Sequence, residues 1–238
     1  MRIRESLGHD DRAWNLAWNP SRSLVATCSS DKSVRLYSYR RSPSAVSNNA
    51  AKEEEPSSLE FRTATVIPTG HSKTVRGIAW SPSGKSLATA SFDSTVAIFE
   101  RSEDDEDYST IGSLGGGGEW ECVSTLEGHE SECKSVGYSY SGTLLASSSR
   151  DKSVWIWEGK LCNKLPSLSL SKLLIRLLSS RSSSVQPDAD FECMSVLMEH
   201  TQDVKCVTWH PKEEVNFLSF PKKDPNFFVE KSFFFFKK

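Results

Sequence analysis

Four blocks of this chain begin at a histidine and keep the same internal distances. From His9, His71 and His129 it is nine residues to Trp18, Trp80 and Tyr138, twenty-two to Asp31, Asp93 and Asp151, and twenty-eight to Tyr37, Phe99 and Trp157. A fourth block starts at His200 and reaches Trp209 at the same nine. Blocks that keep one ruler inside while standing at uneven distances from each other are single folding units joined by segments free to vary.

Residue types divide each block into strands. After the histidine comes a short alternating strand, Trp14 to Trp18 or Arg76 to Trp80, then turn chemistry such as Asn19-Pro20-Ser21 and Ser81-Pro82-Ser83-Gly84. A second strand (Leu24 to Ser29, Leu87 to Ser91, Leu144 to Ser148) is rich in small and β-branched residues, which suit a sheet buried on both faces. A tight turn carries the aspartate. A third strand ends in the aromatic, as in Ser153-Val154-Trp155-Ile156-Trp157, and an outermost strand such as Trp120 to Leu126 leads to the next histidine. The unit predicts a four-stranded propeller blade.

These blocks resemble WD40 repeats, a family that folds as an all-β propeller. The resemblance implies a buried hydrogen-bond chain in each blade, from a histidine through a Ser or Thr and the turn aspartate to the third-strand Trp. Carried over, the third block has His129, Ser147, Asp151 and Trp157. The first has His9, Thr27 and Asp31 but Tyr37 in place of Trp, and the second has His71, Thr89 and Asp93 but Phe99. Phe99 has no polar hydrogen, so its chain is expected to end early, leaving the third blade the most firmly specified. His200 opens the corresponding chain of a fourth blade.

Composition adds limits. The 238 residues carry a formal charge of −2 and 37% hydrophobic residues, which points away from nucleic acid as a main partner. No stretch approaches the ~20 apolar residues that cross a bilayer, and Met1 to Glu5 lacks the apolar run of a signal peptide. The six cysteines, Cys28, Cys122, Cys133, Cys162, Cys193 and Cys206, show no C-x-x-C pair or metal-ligand spacing. A reducing cytoplasmic or nuclear setting is the expectation. No nucleophile with a positioned base and no phosphate-cradling glycine loop appears, so no enzyme activity, small-molecule substrate, cofactor or metal is expected.

Two segments break the ruler. Gly159 to Ser184 is a tract of Leu and Ser, with Leu168 to Leu178 able to form a short apolar helix. Joining Glu158 to Val185 restores a third strand, an acidic turn and a fourth strand ending in Phe191-Glu192-Cys193. After Val215 comes a Phe- and Lys-rich stretch ending Phe233-Phe234-Phe235-Phe236-Lys237-Lys238. Both segments read as retained non-coding sequence, against the alternative of a genuine insert. The expected organisation is three blades over 1–158, a non-propeller segment over 159–184, an outer strand and the start of a fourth blade over 185–215, and a non-family tail over 216–238. Three blades and a fragment cannot close a ring, so unpaired edges predict aggregation or dependence on a partner.

Several runs together narrow the resemblance: Thr125 to Glu130, Ser149 to Glu158, Glu199 to Lys205 with Trp209-His210-Pro211, Ala79 to Pro82, and Ala88 to Asp93. They resemble the WD40 subunit family of the cytosolic iron–sulfur protein assembly machinery. That implies a seven-bladed, non-catalytic scaffold whose partners are the other targeting-complex subunits and client apoproteins, in the cytoplasm and also the nucleus. A single WD40 motif supports no one function, so a ubiquitin-ligase substrate receptor, a chromatin adaptor or a non-functional fragment stay open. Departures from the family pattern are the loop from Arg40 to Leu59, the acidic and glycine-rich loop from Glu103 to Gly118, and the missing later blades.

Five positions after each histidine stand Trp14, Arg76, Lys134 and Lys205, and before the turn aspartates stand Ser30, Phe92 and Arg150. In a WD40 blade both positions face one rim around the central channel. Arg76, Lys134, Lys205 and Arg150 are expected to form a positive arc, with Trp14 and Phe92 as apolar anchors for a protein partner; solvated rim charges are the plain alternative. Arg150 is the first candidate. The repeated histidines read as structural, His210 as a turn residue, and Cys122 and Cys193 as packing residues rather than cluster ligands.

Overall fold

The computed structural model describes residues 8–41, 59–101, 119–159, 191–213, 217–221 and 232–233. Among these there are strands and turns and no helix. The expected helix at Leu168 to Leu178, Cys162, the acidic loop and the join of Glu158 to Val185 lie outside the described residues.

Each histidine block makes one antiparallel sheet in sequential order. The first contains β1 (Ala13–Trp18), β2 (Leu24–Ser29), β3 (Ser33–Arg41) and β4 (Leu59–Pro68). The second contains β5 (Val75–Trp80), β6 (Ser86–Ser91), β7 (Val96–Arg101) and β8 (Trp120–Leu126). The third contains β9 (Cys133–Tyr138), β10 (Leu144–Ser149), β11 (Val154–Gly159) and β12 (Phe191–Leu197). Gly159 pairs with Phe191, so the third sheet takes its outer strand from beyond the Leu- and Ser-rich tract.

The fourth sheet differs from the sequence expectation, which ends the repeat at Val215. Here β13 (Val204–Trp209) pairs with β14 (Phe217–Pro221), and β14 with the short β15 (Ser232–Phe233). Trp209 stands opposite Phe217 and Val207 opposite Ser219. Ser219 Oγ lies 2.6 Å from His200 Nε2, which gives it the place of Thr27, Thr89 and Ser147. The ruler misses it because the separation is nineteen residues here and eighteen in the other three sheets.

The cores lie between sheets rather than within them, because a single sheet has nothing of its own to cover its faces. Val34, Leu36 and Ile67 of the first sheet pack with Ile78, Trp80, Leu87 and Phe99 of the second. Ala88, Ala90 and Ile98 pack with Val136, Leu145 and Trp157 of the third, and Leu144, Ala146 and Ile156 pack with Val207 and Trp209 of the fourth. The middle strand β10 is buried along its whole length, which explains its run of Leu, Ala and Ser. This sheet-on-sheet series, with innermost strands β1, β5, β9 and β13 side by side, is a partial β-propeller.

The aromatic that ends each innermost strand ties neighbouring sheets together. Trp80 Nε1 donates to the Ala17 carbonyl at 3.1 Å, and Trp209 Nε1 donates to the Gly137 carbonyl at 2.8 Å. Tyr138 holds the same position in the third sheet, edge-on to Phe191, but its buried hydroxyl has no hydrogen-bond partner among the described residues. Burial, helped by nearby Glu100, pushes that phenol far above its usual pKa. An unpaired buried hydroxyl costs about 1–3 kcal/mol. Tyr138→Phe is therefore expected to leave the urea midpoint unchanged or to raise it, whereas truncation to Ala lowers it sharply.

Candidate functional site

Each complete sheet carries one buried polar chain. Its geometry starts at the turn between the second and third strands, where Lys32, Ser94 and Lys152 hold left-handed φ of 65°, 77° and 71° and turn the preceding aspartate inward. His9, His71 and His129 place Nδ1 at 2.8, 3.0 and 2.8 Å from Oδ2 of Asp31, Asp93 and Asp151. Their Nε2 atoms lie 2.7, 2.8 and 2.8 Å from the hydroxyls of Thr27, Thr89 and Ser147. The other oxygen of each aspartate accepts from the backbone N–H and hydroxyl of Ser33, Thr95 or Ser153.

The third sheet extends the chain by one member. Trp157 Nε1 donates to Ser147 Oγ at 2.9 Å. Trp155 stacks on Trp157 at 5.2 Å and covers His129 at the same centroid distance. The close approach depends on Gly128, where a Cβ would lie 2.2 Å from the Trp155 ring at φ +153°. In the second sheet Phe99 is buried and packs in the core between the first and second sheets, and Thr89 Oγ1 instead lies 3.3 Å from the Ala97 carbonyl. Thr27 uses the Arg35 carbonyl in the same way, and no hydrogen bond joins it to Tyr37 among the described residues.

The rim residues fall into two linked groups. In the first, Trp14 Nε1 donates to Ser30 Oγ at 2.7 Å while the Arg76 guanidinium of the next sheet sits 4.8 Å over the Trp14 ring. Phe92 lies half-buried in the next turn, its N–H donating to the Thr74 carbonyl. In the second group Arg150 Nη1 is 3.3 Å from Glu132, Lys134 Nζ is 3.7 Å from Glu132 and 2.9 Å from Asp203, and Lys205 Nζ is 3.5 Å from Asp203. The arc is therefore interleaved with two carboxylates. Lys134 is the spanning strut, its side chain only 10% exposed, while that of Arg150 stands 58% exposed at one end. The hydrogen bond and charge of the Lys134 ammonium, joined by Lys205, outweigh burial and hold the Asp203 carboxyl below its usual pKa.

A family model described as WD domain, G-beta repeat matches residues 2–38, 63–100 and 120–158. These residues form WD40 repeats. The chain is 52% identical over 171 residues to the probable cytosolic iron-sulfur protein assembly protein 1 of Mycosarcoma maydis, covering 66% of this chain and 37% of that protein. A protein of the same description from Cryptococcus neoformans var. neoformans is 49% identical over 177 residues, covering 65% and 40%. The probable cytosolic Fe-S cluster assembly factor of Schizosaccharomyces japonicus is 41% identical over 152 residues, covering 63% and 19%. The chain thus spans two fifths or less of the length of these relatives.

Within this WD40 frame, Glu132 and Asp203 are the rim residues that sequence reasoning passed over. Both stand three positions after their block histidine, and Glu132 supplies the carbonyl that receives the Arg150 N–H, as Arg12 and Thr74 do for Ser30 and Phe92. That repeated backbone bond brings the third position to the rim, so the ruler itself carried the signal. His210 lies exposed in the turn after β13 and accepts from the Lys212 N–H. Burial pushes the Cys28 thiol up to about 12, leaving it a packing group. Cys122 and Cys193 are exposed on the outer strands. No group of three or more His, Cys, Asp or Glu able to hold a metal occurs among the described residues.

Burial alone would raise the Asp31 carboxyl, but hydrogen bonds from Ser33, His9 and Asp10 outweigh it and hold the pKa at about 2. Asp151 and Asp93 are lowered by the same balance. His71 is lowered by burial against the opposing pull of Asp93. A depressed folded pKa stabilises the protein above the unfolded value, and the gain is lost as pH falls through the folded one. His71 should begin to destabilise below about pH 6.5, and the aspartates below about pH 4. Urea midpoints from pH 8 to 2.5 should fall in those two windows, and Asp31→Asn should flatten the lower one. Asp151→Ala should cost about 3 kcal/mol, since it strands a buried network. Trp157→Phe should cost about 1 kcal/mol, one hydrogen bond.

Proposed function

We propose that this chain acts as a non-catalytic scaffold in cytosolic iron–sulfur protein assembly, binding other subunits of a targeting complex and helping present client apoproteins. The reading rests on one observation: identity near 50% to proteins described as cytosolic iron-sulfur protein assembly protein 1. A shared WD40 fold would support no particular function by itself. Identity of this level through whole blades includes loop and rim positions, which the fold leaves free. The cytoplasm is the expected compartment, with the nucleus as a second one through its clients, and no helix among the described residues is long and apolar enough to cross a membrane.

The rim is the proposed contact surface. Arg150 and Lys205 offer the most exposed charges of the second group, and Trp14, capped by Arg76, offers an exposed aromatic in the first. Phe92 stands in the turn between them. Arginine beside aromatic residues is the composition found at the energetic centres of protein interfaces. Glu132 and Asp203 hold Lys134 in place and leave the outer basic ends to a partner's carboxylates.

Affinity capture from cells expressing the tagged chain, read by mass spectrometry, tests the reading. Iron–sulfur targeting subunits are the expected catch; cullin-type ligase components or chromatin proteins in their place would overturn it. Arg150→Glu breaks only an exposed ion pair worth at most about 1 kcal/mol to the fold. It should nevertheless lower capture by roughly thirtyfold, the loss of about 2 kcal/mol that a central contact gives. Unchanged capture would remove the rim site while leaving the scaffold reading in place.

A further inference from the structure

The rim repeats one triangle of positions, three, five and twenty-one residues after each block histidine. In the third sheet these are Glu132, Lys134 and Arg150, and in the second Thr74, Arg76 and Phe92. The backbone is shared, since the Arg150 N–H donates to the Glu132 carbonyl and the Phe92 N–H to the Thr74 carbonyl, both at 2.9 Å. The side-chain chemistry is not. In the third sheet one carboxylate serves two cations, with Glu132 Oε1 at 3.3 Å from Arg150 and Oε2 at 3.7 Å from Lys134. The second sheet keeps the cation and lacks the acid, because Thr74 stands in the place of the glutamate.

Neither neighbouring sheet makes up the loss. Lys134 reaches forward to the third position of the next sheet, Asp203, at 2.9 Å. For Arg76 that residue is Glu132, whose two oxygens are already engaged, and the first sheet has a like charge there, Arg12. Half-buried Arg76 lies instead over Trp14, 4.8 Å from the ring, and Trp14 is itself fixed by its Nε1 donating to Ser30 Oγ at 2.7 Å. No carboxylate pairs with the Arg76 guanidinium among the described residues, whereas Lys134, Arg150 and Lys205 each have one. Stacking occupies a flat face of a guanidinium and leaves its in-plane N–H edges, whose fork matches the two oxygens of a carboxylate. An indole that already fixes the plane reduces the ordering that binding requires.

We propose that Arg76 is a receptor for the side-chain carboxylate of an Asp or Glu on a protein partner, oriented by Trp14 and bordered by Thr74 and Phe92. The occupant is a carboxylate because the repeat itself places one at this position a sheet further on, and because the guanidinium has no counter-charge of its own. This rests on the rim being a contact surface, and it adds to Arg150 and Lys205, each bound to an acid within the chain, a cation that has none.

Retention of end-blocked peptides on the immobilised 238-residue chain tests it. The probe pool carries one central Glu in an otherwise uncharged randomised sequence, and Gln-centred and phosphoserine-centred pools are the comparisons. The Glu pool should be retained about tenfold over the Gln pool, as a charge-assisted pair gives. Thr74→Glu supplies within the chain the acid that Glu132 supplies in the third sheet, so it should remove the preference while keeping or raising the melting temperature. Thr74→Gln, of the same size without the charge, should keep the preference. Arg76→Lys should lose most of it, since an ammonium offers no planar fork. Equal retention of the Glu and Gln pools overturns the proposal, as does retention of the phosphoserine pool alone, a preference that survives either Thr74→Glu or Arg76→Lys, or one that Thr74→Gln abolishes. Affinity capture of targeting subunits is a separate readout: its failure beside an intact Glu preference removes the scaffold reading and leaves the Arg76 site standing.

Discussion

No sheet of this protein can bury itself. Each has two apolar faces, and its core exists only where the large side chains of one innermost strand enter the small-residue face of the sheet before it. Ala17, Ala79 and Gly137 are small because Trp80, Tyr138 and Trp209 need their space, and the carbonyls of Ala17 and Gly137 are open to the indoles for the same reason. Stability is therefore shared between neighbours, as in other repeat proteins. An end sheet has a different environment from a central one, and Trp18 and Trp80 show this within one chain: the residue type and position are the same, and the exposure is opposite.

The buried polar chains answer a second need. Packing between sheets is non-directional and does not fix where the loop before an innermost strand must sit. The histidine does, through bonds to a strand hydroxyl and a turn aspartate that lie eighteen and twenty-two residues along the chain. Buried polar groups are costly unless every member is paired, and the aspartates spend both oxygens in doing so. The third sheet is the most complete, since Trp157 adds a donor and Trp155 shields the imidazole. Where Phe99 replaces the tryptophan, the threonine hydroxyl approaches a backbone carbonyl instead and the lost bond is replaced by apolar packing.

The periodicity made the sheet order, the turn aspartates and the histidine partners legible before any coordinates, because each is set by local spacing. What the spacing hid came from single-residue irregularities and from pairing between sheets. Ser219 escaped because one extra residue shifts it off the ruler, although its chemistry beside His200 is unchanged. Glu132 and Asp203 escaped because positive charge and aromatic residues mark the rim in the sequence, whereas these carboxylates act between the cations: Glu132 joins Arg150 and Lys134 within the third sheet, and Asp203 joins Lys134 to Lys205 across to the fourth. The unpaired Tyr138 hydroxyl was invisible for a similar reason: nothing in the third block by itself shows that its phenol, unlike an indole N–H, finds no carbonyl across the joint.

The rim shows how a repeat can keep its architecture and change its business. The backbone bond from the residue before each aspartate to the third position after each histidine is present in all three complete sheets, so the geometry that gathers side chains at the rim is independent of what those side chains are. The first two sheets carry an arginine over an indole on this rim, and the third and fourth carry an alternating row of ammonium, guanidinium and carboxylate groups. Neither arrangement touches the buried chains beneath. Substitution there leaves the buried chains in place, so the rim side chains can vary at little cost to the fold. Within one rim the two groups also differ in what they can give up. Trp14 and Arg76 face each other across an exposed joint, while Lys134 is committed to Glu132 and Asp203. The adjustable chemistry of this face therefore lies at Arg150, Lys205 and Trp14, with a fixed electrostatic frame between them.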